Sequence, residues 1–115
     1  MRKANVFRNG SLVGKLIEEN RKSYIFRYDE DWFNNPGTPP VSLTLPKTHK
    51  EYRSNVLFPF FFNMLSEGVN RQLQSRQLKI DEKDNFGLLI ATAQYDTIGA
   101  ITIQPDAEDS SRTGD

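Results

Sequence analysis

The order of patterns along this chain predicts an α+β fold: a mainly antiparallel β-sheet of about five strands with about three helices packed on one face. Three observations carry this reading. Strand-type segments with hairpin punctuation fill residues 4–28, helix signals occupy 57–94, and an alternating apolar segment returns at 99–105.

Residues 4–8 alternate weakly and run into Asn9-Gly10, the strongest short hairpin signal, after which Ser11 to Ile17 supplies a second antiparallel strand. Tyr24 to Tyr28 is dense in β-branched and aromatic side chains and reads as a third strand. The acidic run Asp29-Glu30-Asp31 ends it. Trp32 and Phe33 then sit among Asn, Pro and Gly, the composition of an irregular loop that opens with one helical turn and is pinned by its aromatics. In 41–46, Val41, Leu43 and Leu45 alternate with Ser42 and Thr44, which predicts a short strand ended by Pro46, followed by a polar connection from Lys47 to Asn55.

Residues 57–67 read as a helix, with Pro59 in the first turn, where its missing N–H has no partner to lose, and Gly68 as the C-cap. Four phenylalanines fall in the five positions 58–62, so apolar side chains cover most of its circumference and imply enclosure on several sides. Val69 to Ile80 carries Leu73, Leu78 and Ile80 among polar residues and predicts a mostly solvated amphipathic helix. Asp84 is placed to N-cap a third helix over 85–94, with Phe86, Leu89, Ile90 and Ala93 on one face. Ile101 and Ile103 alternate in the last strand, 99–105. Residues 1–105 thus form one domain, and the acidic tail 106–115 is expected to be disordered.

At 115 residues the chain supports a single core. Cysteine is absent, which excludes disulfides, thiolate zinc sites and cysteine nucleophiles. No apolar run is long enough to span a bilayer, and a cytoplasmic location is expected. The formal net charge is zero, and no dense basic stripe favours direct nucleic-acid binding.

Catalytic constellations are not apparent. His49, the single histidine, lies in a polar run without an orienting partner and reads as a solvated loop residue. Gly10 and Gly14 fall between two strands, outside any phosphate-loop context. The acidic groups Asp29-Glu30-Asp31 and Asp81-Glu82-Asp84 lack metal-loop spacing and read as turns or caps. The expectation is a protein with no enzymatic activity, no cofactor and no metal. Trp32 and Phe33 either anchor an interface or plug the sheet edge. For Phe58, Phe61 and Phe62 the simpler explanation is core packing, and the other is contact with a partner through the outer face of the helix.

Several of these segments, in order, carry a family pattern. Asn9-Gly10 with Gly14 and Leu16, Tyr24 to Tyr28, Ser42 to Pro46, Phe60 to Gly68 and Gly99 to Pro105 together resemble the N-terminal subdomain of HipA-type toxin kinases. The likeness covers nearly all of the chain up to Pro105. Ser66 stands where the family usually has proline. Full-length members continue into a Ser/Thr kinase core, and this sequence stops before it.

The resemblance therefore implies a small HipS-like protein of a HipBST toxin–antitoxin system. Such a protein is an antitoxin that binds a HipT-like kinase where the fused subdomain sits in HipA, with a HipB-like DNA-binding protein as a possible third member of the complex. Trp32, Phe33, Phe58, Phe61 and Phe62 are the candidate partner-binding residues. The alternative is an accessory subunit that a HipA-like kinase needs for folding or substrate docking.

Overall fold

The computed structural model describes residues 1–65, 68–92 and 101–106. The chain runs β1 (Arg2–Arg8), β2 (Ser11–Asn20), β3 (Ser23–Tyr28), α1 (Glu30–Asn34), β4 (Glu51–Ser54), α2 (Pro59–Phe62), α3 (Gly68–Leu78), α4 (Asn85–Thr92) and β5 (Ile101–Pro105). The five strands form one antiparallel sheet in the order β4-β3-β2-β1-β5, so the last strand returns beside the first. No helix among the described residues is long and apolar enough to cross a membrane.

The hairpin at 9–10 forms as its dipeptide predicts. Asn9 and Gly10 both adopt positive φ, 49° and 82°, the backbone of a two-residue turn whose twist matches the flanking strands. The register sets Leu16 between Ala4 and Phe26. Period-two alternation then puts Ala4, Val6, Leu16, Tyr24, Phe26, Tyr28, Ile101 and Ile103 in one core. Leu57, Phe58, Phe61, Leu65, Phe86, Leu88 and Leu89 close over that core from the helical side. Ile17 and Ile25, opposite one another, are also buried, at 5% and 3% exposure, on the sheet's other face.

Two sequence expectations change place. Residues 41–46 are not a strand. Val41 and Leu45 are buried while Leu43 is 94% exposed, and Leu45 N–H turns back onto the Ser42 carbonyl at 3.1 Å. The buried Tyr28 hydroxyl accepts from Val41 N–H at 3.0 Å and donates to the Leu45 carbonyl, so one side chain serves the backbone groups that a neighbouring strand would have served. The fifth strand comes instead from the segment expected to be a polar connection. β4 pairs with β3, setting Tyr52 opposite Phe26 and Glu51 opposite Arg27. It is a short, charged edge strand.

The phenylalanine segment is also shorter than expected. Pro59 does open α2, but Asn63 caps it, and Met64 and Leu65 N–H bond back to Phe61 and Phe62 in tight turns. Gly68 begins α3 and is not a C-cap. Ser66, Glu67, Ala93, Gly99 and Ala100 lie outside the described residues, as does the tail from 107. Its first residue, Asp106, follows β5 and is anchored to the sheet: it is 4% exposed, donates its N–H to the Lys3 carbonyl at 3.1 Å and pairs with Lys15 Nζ at 3.0 Å.

Arg2 ties α4 to the sheet. Its guanidinium forks onto both Asp84 oxygens, at 2.9 and 2.7 Å, and its Nε donates to Glu18 Oε1 at 2.9 Å. Asp84 is also the N-cap of α4, accepting from Gly87 N–H at 3.1 Å. Glu18 Oε2 in turn accepts from the Tyr24 hydroxyl at 2.9 Å, and burial together with that carboxylate pushes Tyr24 up to about 12. The Arg2 guanidinium holds the Asp84 carboxyl below the ordinary carboxylate range.

Two outcomes are expected. A Cβ on Gly14 would stand 2.3 Å from the Arg27 carbonyl oxygen, so Gly14→Ala forces β2 and β3 apart. It should cost about 2 kcal/mol and lower Tm by roughly 10 °C. Because the Asp84 pKa is depressed in the fold, its stabilisation is fully present above the unfolded carboxylate range and is lost as pH falls through and below it. The stability gap between wild type and Asp84→Asn in urea should therefore be about 1–2 kcal/mol near pH 7 and close towards about pH 2.

Candidate partner-binding surface

The chain leaves β3 at Tyr28 and enters α1 through Asp29, whose N–H bonds the Val13 carbonyl at 2.8 Å and whose carbonyl accepts from Phe33 N–H at 2.8 Å. This seats α1 over the end of β2. The Phe33 ring packs against Tyr28, 6.1 Å between centroids, and both Trp32 and Phe33 are half-buried against the core.

The rest of the loop is held by hydrogen bonds. Trp32 Nε1 donates to the Pro39 carbonyl at 2.9 Å, and Thr38 Oγ1 donates to the Trp32 carbonyl at 2.6 Å. Lys47 reaches in from the following turn. Its ammonium meets the Asn35 carbonyl at 2.7 Å, the Thr38 carbonyl at 2.9 Å and Thr38 Oγ1 at 2.7 Å, using all three donors on one loop. The Trp32 indole is thereby fixed in orientation while part of its surface stays in water.

Two grooves border this loop and share Leu12 and Asp29. One, about 260 Å³, has Lys15, Arg27 and Lys50 on its walls; the other, about 510 Å³, has Asp31, Trp32 and Asn35. The cations of the first are matched by Asp106, Glu51 and Glu30, the last at 3.7 Å.

The phenylalanine segment divides sharply. Phe61 is fully buried, with ring centroids 5.7 Å from Phe26, 5.2 Å from Phe60 and 6.4 Å from Phe58. Phe58 is 7% exposed, so these two candidate residues fill the core in this fold. Phe62 is 41% exposed and lies 6.0 Å below the Arg71 guanidinium. Arg71 is itself tied to the Glu82 carbonyl at 2.9 Å and to Asn85 Oδ1. Leu43 and Val56 are exposed as well, at 94% and 59%. The strand assigned to 41–46 hid Leu43, and no sequence signal marks Val56.

His49 is exposed, with Nδ1 3.2 Å from Thr48 Oγ1 and its ring against Tyr52. Asp84 is committed to Arg2 and Gly87, and among the described residues no three His, Cys, Asp or Glu side chains converge as metal ligands would.

The family profile described as HipA N-terminal domain matches residues 4–104. The chain belongs to the HipA N-terminal domain family. A solved structure of the N-terminal domain of HipA toxin superposes with a TM-score of 0.71 at 25% identity, covering 94% of this chain and 95% of that one. An uncharacterized protein of Haemophilus influenzae is 29% identical over 108 residues, 94% of this chain and 96% of its own length. "Putative kinase Y4mE" of Sinorhizobium fredii is 27% identical over 114 residues, and the chain spans 27% of that protein's length. The kinship places this chain among proteins related to the HipA toxin.

If Lys47 is what fixes the loop, Lys47→Met should leave the sheet folded but free Trp32. Relative to wild type, the variant's tryptophan emission should shift to the red and be quenched more strongly by acrylamide, with Tm lowered by only a few degrees, roughly 1 kcal/mol.

Proposed function

We propose that this chain is a non-enzymatic, HipS-like antitoxin that binds a HipT-like Ser/Thr kinase in the place of the HipA N-terminal subdomain and holds its activity down. The observation that carries the reading is the contrast between two relatives. One is matched over 96% of its length, whereas the protein named as a kinase is matched over only 27%. The same domain thus occurs in a small protein and as a minor part of a far longer one, the arrangement expected if the two parts can act as separate chains.

The surface adds physical support. A domain that docks on a kinase needs aromatic groups that are rigid and still reachable, because such anchors lose little entropy on binding. Trp32 is held by its own hydrogen bond, and Phe33 is packed on Tyr28. Phe62 is the member of the phenylalanine segment with the most surface to offer, while Phe58 and Phe61 act by holding it in place. In this reading the complex works in the cytoplasm, and a HipB-like protein joins it to supply DNA binding that this near-neutral chain lacks.

Co-expression with a HipT-like kinase tests the proposal. The wild-type chain should restore growth that the kinase alone arrests. Trp32→Ala with Phe33→Ala, and separately Phe62→Asp, should each weaken binding by about 30-fold, as loss of roughly 2 kcal/mol of interface anchoring would. Matched thermal unfolding of the free variants separates lost contact from lost fold. Growth arrest that deepens on co-expression would instead identify an accessory subunit.

A further inference from the structure

We infer that the groove beside Trp32 is a receptor for an arginine side chain presented by a protein partner. Asp29 and Asp31 line this groove of about 510 Å³ together with the indole. Neither carboxylate takes part in a hydrogen bond or ion pair among the described residues. Glu18, Asp84, Asp106, Glu51 and Glu30 each face a cation in the fold, whereas neither Asp29 nor Asp31 has an ion-pair partner among the described residues, so the groove carries two carboxylates without a counter-ion.

The third wall supplies the other half of the chemistry. Trp32 borders the same groove, an indole is the side chain that attracts a cation most strongly, and the bond from its Nε1 to the Pro39 carbonyl holds the ring in place. Leu12 forms an apolar border against which an alkyl stem can lie. A planar guanidinium suits this combination better than an ammonium does. It stacks on an aromatic face and directs its edge donors at carboxylates at the same time, and it is the more weakly hydrated of the two cations. The loop also captures a cation of its own on Lys47, through the backbone carbonyls of Asn35 and Thr38. Those acceptors are occupied, which leaves the two carboxylates for a visitor.

The identity of the protein that carries the arginine rests on the kinase-partner reading, but the site does not, and the two can fail separately. The probe is N-acetyl-L-arginine methylamide, titrated into the full ¹⁵N-labelled chain while the indole N–H signal of its single tryptophan is followed. A saturable shift is expected at a Kd on the order of 10 mM, the weakness of one cation–π contact and exposed ion pairs acting alone. The shift should shrink as salt rises. The uncharged citrulline analogue should bind at least about fivefold more weakly, and Asp29→Asn with Asp31→Asn should abolish saturation without lowering Tm, since neither side chain has a partner to lose.

An equal response to citrulline, an unchanged double variant or no saturable shift would overturn the site. An equal response to the lysine analogue would overturn its preference for arginine. If the probe binds and the double variant still neutralises the kinase, the antitoxin reading stands and the kinase is not the source of the arginine. If the probe does not bind while Trp32→Ala loses neutralisation, the inference falls and the antitoxin reading stands.

Discussion

A continuous row of aromatic rings spans the core face of the sheet, and both candidate surfaces hang from it. Phe33 packs on Tyr28, Tyr28 meets Phe26 edge-on at 4.9 Å, Phe26 meets Phe61, and Phe61 touches Phe58 and Phe60. The row runs from α1 at one end to α2 at the other. Each contact adds of the order of 1 kcal/mol to the burial of large rings. Tyr28 is the hinge of the arrangement, since its hydroxyl also fastens the 41–45 turn. Trp32 and Phe62 are the chain neighbours of Phe33 and Phe61, two of the rings in this row.

That frame explains which phenylalanines are available. A four-residue helix cannot present the long stripe that an eleven-residue one would, and the turn after Asn63 sends Leu65 back into the core. Phe61 and Phe58 are consumed by the row. Phe62 emerges on the far side, where Arg71 covers part of it. The domain thus keeps its interior closed while leaving apolar surface at selected points, Phe62, Leu43 and Val56 among them.

Much of this was legible in the residues. The Asn9-Gly10 hairpin, the third strand, the helical turn after Asp29, the Asp84 cap and the alternating Ile101 and Ile103 all follow from local chemistry, because each pattern fixes its own backbone. Misreadings arose where tertiary contacts decide. Val41, Leu43 and Leu45 alternate as in a strand, yet the Tyr28 hydroxyl folds that segment into a turn from 13 residues away in sequence at Val41. The true edge strand, Glu51 to Ser54, looks like a loop because an edge needs charge more than apolar side chains. Arg2 could not be paired with Asp84 from sequence, as 82 positions separate them. At the candidate surface, Trp32 and Phe33 were visible by type, while the clamp by Lys47 and the vacancy of Asp29 and Asp31 appear only in three dimensions.

The central claim is that this domain restrains a kinase by docking on it. The most direct measurement is phosphoryl transfer by a purified HipT-like kinase as the chain is added in increasing amounts. The account predicts that activity falls and levels off at one chain per kinase, and that the two elute as a single complex. Unchanged or increased phosphoryl transfer in the presence of a formed complex would contradict it.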